Sequence, residues 1–211
     1  MSDYLTAQSH DFANLADLQE LAIRVQKHSV PDNPVIFYGS SSFRLWDPTI
    51  RTDLDSNKIV NLAFGGSTLV TCGDHFERIM KPYREAKSMV IYAGDNDLGD
   101  GRSANEVEDA FLKIIDKVRK RFGQIPVFFV SIKPSPSKQS IFETIVESNR
   151  LIREQSEIQD NLHYIDIFTP MLTSSGQSNP AYFLEDMLHM NEAGYQVWKT
   201  VMLGLRKKIG F

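Results

Sequence analysis

Four short stretches of this 211-residue chain carry residue types that could do chemistry together. The first is Gly39-Ser40-Ser41-Ser42, in which Ser41 could act as a nucleophile. The glycine lets the backbone turn sharply, and a helical turn after it would direct amide N–H groups toward a developing oxyanion. The same serines could equally cap a helix. The second stretch is Asn61-Leu62-Ala63-Phe64-Gly65-Gly66-Ser67-Thr68. Tandem glycines permit close backbone approach, so Gly66 N–H could bind an oxyanion, or the pair could simply make a turn. Gly65-Gly66-Ser67 also repeats the Gly-x-Ser form of Gly39-Ser40-Ser41, which makes Ser67 a rival nucleophile.

The third stretch is Gly94-Asp95-Asn96-Asp97. The Asn96 side-chain amide is a neutral donor that can polarise a carbonyl without adding a titrating charge. A turn rich in Asp and Asn, or a weak cation site, would use the same residues. The spacing of Asp95-Asn96-Asp97-Leu98-Gly99-Asp100 is not that of an EF-hand loop. The fourth stretch is Asp186-Met187-Leu188-His189. On a helical turn, a separation of three puts both side chains on one side. The carboxylate could then hold one imidazole nitrogen while the other takes a serine proton. A surface Asp–His pair without a chemical task has the same spacing.

The elements that must position these residues follow from periodicity. Five apolar, β-rich runs stand out: Val35–Tyr38, Lys58–Leu62, Ser88–Tyr92, Pro126–Ser131 and Leu162–Ile165. Runs such as Val127-Phe128-Phe129-Val130 do not alternate polar with apolar, as suits strands buried on both faces of a parallel sheet. Helical spacing links Phe12, Leu15, Leu18, Leu21, Ala22 and Val25, and again Val107, Phe111, Ile114, Ile115, Val118 and Phe122. Ser103 and Glu106 form a capping-box signature before the second of these. Further helices are expected over Ile141–Gln155 and Asn191–Lys208, the latter ending in Arg206, Lys207 and Lys208, where cations suit the helix dipole. The order predicts a three-layer α/β domain, a single one spanning residues 1–211, with no linker or repeat. Lys133-Pro134-Ser135-Pro136-Ser137-Lys138 should form a loop at the carboxyl end of the sheet, where such folds bind ligands. The first three chemical stretches lie at that same end. A second Asp-x-x-His, Asp160 to His163, leads into the last strand and so belongs at the opposite end.

Together, in this order, the four stretches resemble the blocks of the GDSL/SGNH hydrolases from Gly39 to His189. The characteristic Ser, Gly, Asn and His of that family fall on Ser41, Gly66, Asn96 and His189, with Asp186 as the third triad member. The resemblance implies a flavodoxin-like α/β/α sandwich around a five-stranded parallel sheet. It implies an oxyanion hole of Ser41 N–H, Gly66 N–H and the Asn96 side chain, and ester hydrolysis without a cofactor or metal. Short acyl esters, acetylated sugars and lysophospholipid-like esters are the substrates the family suggests. The first block of the family usually reads Gly-Asp-Ser, whereas Ser40 stands here at the middle position. The α/β-hydrolase elbow Gly-x-Ser-x-Gly is absent, since Phe43 follows two residues after Ser41.

Composition narrows the remaining classes. The net charge of −4 gives no basic surplus for a nucleic acid or an anionic membrane surface. A single cysteine, Cys72, permits neither an intrachain disulfide nor a multi-cysteine metal site. No signal-peptide pattern opens the chain, and no apolar run reaches the roughly 18–20 residues that span a bilayer, so a cytoplasmic protein is expected. A catalytically inactive scaffold of the same fold is the alternative to an esterase. A flavodoxin-like cofactor or phosphate binder would fit the element order but leave Asp186 and His189 without a task.

Overall fold

The computed structural model describes residues 16–26 and 30–211. The strands are β1 (Val35–Gly39), β2 (Ile59–Asn61), β3 (Ser88–Tyr92), β4 (Val127–Val130) and β5 (Leu162–Ile165), each within or beside an expected run. They form one five-stranded sheet in the order β2-β1-β3-β4-β5, and every pairing is parallel. The helices are α1 (16–26), α2 (Ser41–Trp46), α3 (Ile50–Asp53), α4 (Leu69–Met80), α5 (Asp95–Gly99), α6 (Ala104–Phe122), α7 (Phe142–Ile158), α8 (Glu192–Gly204) and α9 (Arg206–Ile209).

Side chains alternate across a strand, and here both faces of the sheet are covered. Ile36, Tyr38, Met89, Ile91 and Phe129 pack with residues of α1, α4, α6 and α7. Val35, Phe37, Val90, Tyr92 and Phe128 point the other way, into α2, α3, α8 and α9. This is the expected α/β/α sandwich, and the unbroken apolar strand runs reflect its two buried faces.

The chain runs from β1 outward to β2 and then crosses back over β1 to β3. That reversal opens a crevice at the carboxyl ends of the strands, where α/β sheets bind ligands. The segments after β1, β2 and β3 all converge there.

Three expectations need correction. The helix after Ser67, α4, has no bounds legible in the sequence: its inner face is Leu69, Cys72, Gly73, Phe76 and Met80, and with Cys and Gly in the middle the apolar period is faint. The last helix is not continuous over Asn191–Lys208. Asn191 caps α8, which ends at Gly204, and α9 follows after Leu205, so that Ile209 is buried and its carbonyl accepts from Ser88 Oγ at 2.6 Å. In α1, Leu18 and Leu21 are buried but Ala22 is exposed, and Phe12 and Leu15 lie outside the described residues. The capping box of α6 is present, with Glu106 Oε2 accepting from Ser103 N–H at 2.8 Å and Ser103 Oγ accepting from Glu106 N–H at 3.3 Å. Among the described residues no helix is long and apolar enough to cross a membrane.

Candidate active site

Ser41 opens α2 directly after β1, on a turn that only glycine permits. Gly39 has φ +140°, and a Cβ there would stand 1.8 Å from the Tyr92 carbonyl oxygen. That oxygen accepts from Ser40 N–H at 2.8 Å, which pins the turn to β3. From the other side, carbonyls of α2 are held by two distant side chains. Asn61 Nδ2 donates to Phe43 O at 2.7 Å, and Tyr195 Oη donates to Ser42 O at 2.9 Å. The first-turn amide of Ser41 has no hydrogen-bond partner among the described residues, as expected at a helix start.

His189 reaches the same place from 148 positions further along the chain, with Nε2 3.2 Å from Ser41 Oγ. Its Nδ1 lies 2.6 Å from Asp186 Oδ2. The pair does not sit on a helical turn, contrary to expectation. Met187 has φ +55°, and the other Asp186 oxygen accepts from the N–H groups of Leu188 and His189, both at 2.9 Å. An aspartate-centred turn of this kind brings residues i and i+3 to one side without a helix. Its slight burial works to raise the Asp186 pKa, but these two amides and the imidazole outweigh it and hold the carboxyl at about 2. The stretch after β4 is a loop only to Ser135; a 3₁₀ helix over Pro136–Ile141 follows and supports the turn, Ser137 N–H donating to Met187 O at 3.0 Å.

Gly66 has φ +63°, lies exposed after β2, and its amide has no partner among the described residues. Ser67 beside it is buried, and its hydroxyl donates to the carbonyls of Gly39 at 2.9 Å and Phe64 at 3.2 Å. Its Oγ is thus directed into the fold, whereas Ser41 Oγ faces the imidazole. Thr68, next in the chain, caps α4 and closes a capping box with Thr71. Asn96 Nδ2 donates to Ser40 Oγ and to Ser67 O, each at 3.0 Å, so its amide ties the first two stretches together.

Both acidic neighbours of Asn96 are buried and committed. Asp95 Oδ2 accepts from Lys133 Nζ at 2.6 Å and from Tyr92 Oη at 3.2 Å, and Lys133 also donates to Tyr92 Oη at 3.1 Å. Burial alone would raise the Asp95 pKa and lower that of Lys133; each partner's charge outweighs this, so the net shifts are down for Asp95 and up for Lys133. Asp97 Oδ2 accepts from Leu69 N–H at 2.8 Å, which joins α5 to the start of α4. Here burial prevails, and the Asp97 pKa rises to about 6.

The structure thus brings Ser41, Asp186, His189, Gly66 and Asn96 to the carboxyl end of the sheet. His163, on β5, packs against the Phe128 ring at a tilt instead. Of the apolar residues around the four stretches, Phe43, Trp46, Leu98 and Met190 are core, and Met187 and Leu45 are exposed. Arg44 pairs with Glu20 of α1 at 3.4 Å. Sequence reasoning missed the roles of Asp95, Lys133 and Asn61. For Asp95 and Lys133 a signal existed: Ile91 pairs with Phe129 in the sheet, and both charges follow four residues later. Chemically, the hydroxyl–imidazole–carboxylate chain can activate an oxygen nucleophile, and the amides around it can bind an oxyanion.

The model of the GDSL-like lipase/acylhydrolase family matches residues 31–197. Among solved structures, a candidate acylhydrolase of Bacteroides fragilis superposes with a TM-score of 0.78 at 21% identity, covering 92% of this chain and 98% of that one. A candidate platelet activating factor of Streptococcus pneumoniae gives 0.76 at 18% identity, over 98% and 99%. A GDSL-like lipase of Bacteroides thetaiotaomicron gives 0.74 at 17% identity, over 92% and 98%. At these identities the structures speak for the fold alone. No curated protein sequence matches the chain.

Proposed function

The chain belongs to the GDSL-like lipase/acylhydrolase family, and from that premise we propose that it is a serine ester hydrolase working through an acyl-enzyme on Ser41. Family and fold support ester hydrolysis in general. The observation that carries the specific reading is the continuous chain from Asp186 through His189 to Ser41, at 2.6 and 3.2 Å.

His189 Nε2 takes the Ser41 proton as Oγ attacks the acyl carbonyl, and Asp186 keeps the other proton on Nδ1 and steadies the imidazolium. The oxyanion is bound by the amides of Ser41 and Gly66 and by Asn96 Nδ2, whose N–H toward Ser40 already points at the nucleophile turn. His189 then protonates the leaving alcohol, and water, deprotonated by the same imidazole, releases the acid. Ser40, where the family usually has Asp, accepts that N–H in the free enzyme and gives it up to the oxyanion as the charge forms.

Short-chain acyl esters are the proposed substrates, with acetylated sugars and lysophospholipid-like esters as the natural classes. Leu184 and Met187, exposed on the loop of Asp186 and His189, offer apolar contact to a short acyl group. Hydrolysis of p-nitrophenyl esters of increasing chain length, beside acetylated sugars, tests this. Turnover should be highest for the short acyl groups and vanish in Ser41→Ala. No turnover of any ester by folded protein would reject it.

A further inference from the structure

Lys133 is the feature that neither the sheet core nor the proposed triad explains. Its side chain is wholly buried, and its ammonium meets the Asp95 carboxylate and the Tyr92 hydroxyl. A buried ion pair seldom stabilises a fold more than apolar residues of the same size would, so stability is a poor reason for its presence. Its location suggests another. The helix α5 has five residues, and its N-cap Gly94 offers no side chain to hold the first turn. Asp95 supplies that hold. Its Oδ1 accepts from Asn96 N–H at 3.1 Å while Oδ2 is gripped by Lys133. The backbone just before Lys133 is held from behind, because Asn149 Oδ1 accepts from Ile132 N–H at 2.8 Å and Asn149 Nδ2 donates to Ile132 O at 2.9 Å. Rigid packing therefore runs from α7 through Lys133 and Asp95 to the backbone of Asn96.

We propose that Lys133, with Asp95 and Tyr92, is a positioning group that keeps the Asn96 amide beside Ser40 and Ser41, and that it acts on turnover only through Asn96. This rests on the reading of Asn96 as an oxyanion donor. A displacement of the donor by about 1 Å can cost up to about a hundredfold in rate, so the lever is large.

The test is a double-mutant cycle on p-nitrophenyl acetate hydrolysis. The paired replacement Asp95→Asn/Lys133→Met removes both charges, leaves none unpaired, and keeps an acceptor for Tyr92. It is made in the wild-type and in the Asn96→Ala background, with kcat, KM and Tm read for each. In the wild-type background kcat should fall about ten- to a hundredfold with KM changed less than about threefold. In the Asn96→Ala background the same replacement should cost less than about twofold. Equal losses in both backgrounds, or an undiminished kcat in the folded variant, would overturn the proposal. Should the paired variant fail to fold, Tyr92→Phe runs the same cycle without touching either charge, with a loss of about threefold expected only where Asn96 is present. Wild-type protein without esterase turnover, or an Asn96→Ala enzyme as fast as wild type, would instead refute the functional reading and this inference with it.

Discussion

Asp97 should make the protein less stable as pH rises from about 4 to 6, and Asp97→Asn should abolish that dependence. The carboxyl is fully buried; one oxygen accepts the Leu69 N–H and the other has no hydrogen-bond partner. Arg102 Nε stands 3.9 Å from that second oxygen, too far for a hydrogen bond. Burial thus lifts the pKa from the ordinary 3.8 to about 6. Between those values the folded chain holds a proton that the unfolded chain has released, so stability falls with rising pH. The cost is absent below the unfolded value and complete above the folded one. A gap of roughly two pH units corresponds to about 3 kcal/mol. Asparagine keeps an oxygen for Leu69 N–H and cannot ionise. At pH 8 the variant should therefore melt roughly 6–12 °C above wild type, taking 2–4 °C per kcal/mol for a chain of this size. At pH 4, just above the unfolded value, the gap should shrink to about 1–2 °C. Thermal unfolding followed by circular dichroism across this range is sufficient. A difference in Tm that does not change with pH, or one that moves in favour of wild type as pH rises, would refute the reasoning.

Other perturbations probe the frame and the site. Asn96→Ala should lower kcat on the order of 10²–10³-fold, as expected for an oxyanion donor, and unchanged turnover would remove it from that role. Gly39→Ala should yield insoluble protein or cost more than about 4 kcal/mol in urea unfolding, because its Cβ would meet the Tyr92 carbonyl at 1.8 Å with φ at +140°. Asn61→Ala strands the Phe43 carbonyl and the Ala63 amide, both hydrogen-bonded to it now. A loss of about 2–4 kcal/mol is expected in the same assay, and a loss below about 1 kcal/mol would show that neither group depends on it.

The sheet was legible because each strand is buried on both faces, and continuous apolar runs such as Val127-Phe128-Phe129-Val130 have few other uses. Helices with a broad apolar face, α6 above all, were equally plain. The helix α4 was not, since Cys72 and Gly73 interrupt its face, and the break at Leu205 leaves no mark stronger than Gly204. At the site, residue types and order sufficed to find the side chains that now converge. Their local geometry was harder to foresee: a separation of three between Asp186 and His189 fits a helix as well as the aspartate-centred turn, and only the positive φ of Met187 selects the latter. Long-range partners were illegible for a simpler reason. Nothing near Asn96 in the sequence announces Ser40 as its acceptor, 56 positions away.

The central claim is that Ser41 is the nucleophile activated by His189. Labelling of folded protein with a fluorophosphonate, followed by peptide mass mapping, tests it most directly. The account predicts one adduct, on Ser41, formed far more slowly in His189→Ala and not at all in Ser41→Ala. An adduct on Ser67, or no adduct on a folded protein that still hydrolyses esters, would contradict it.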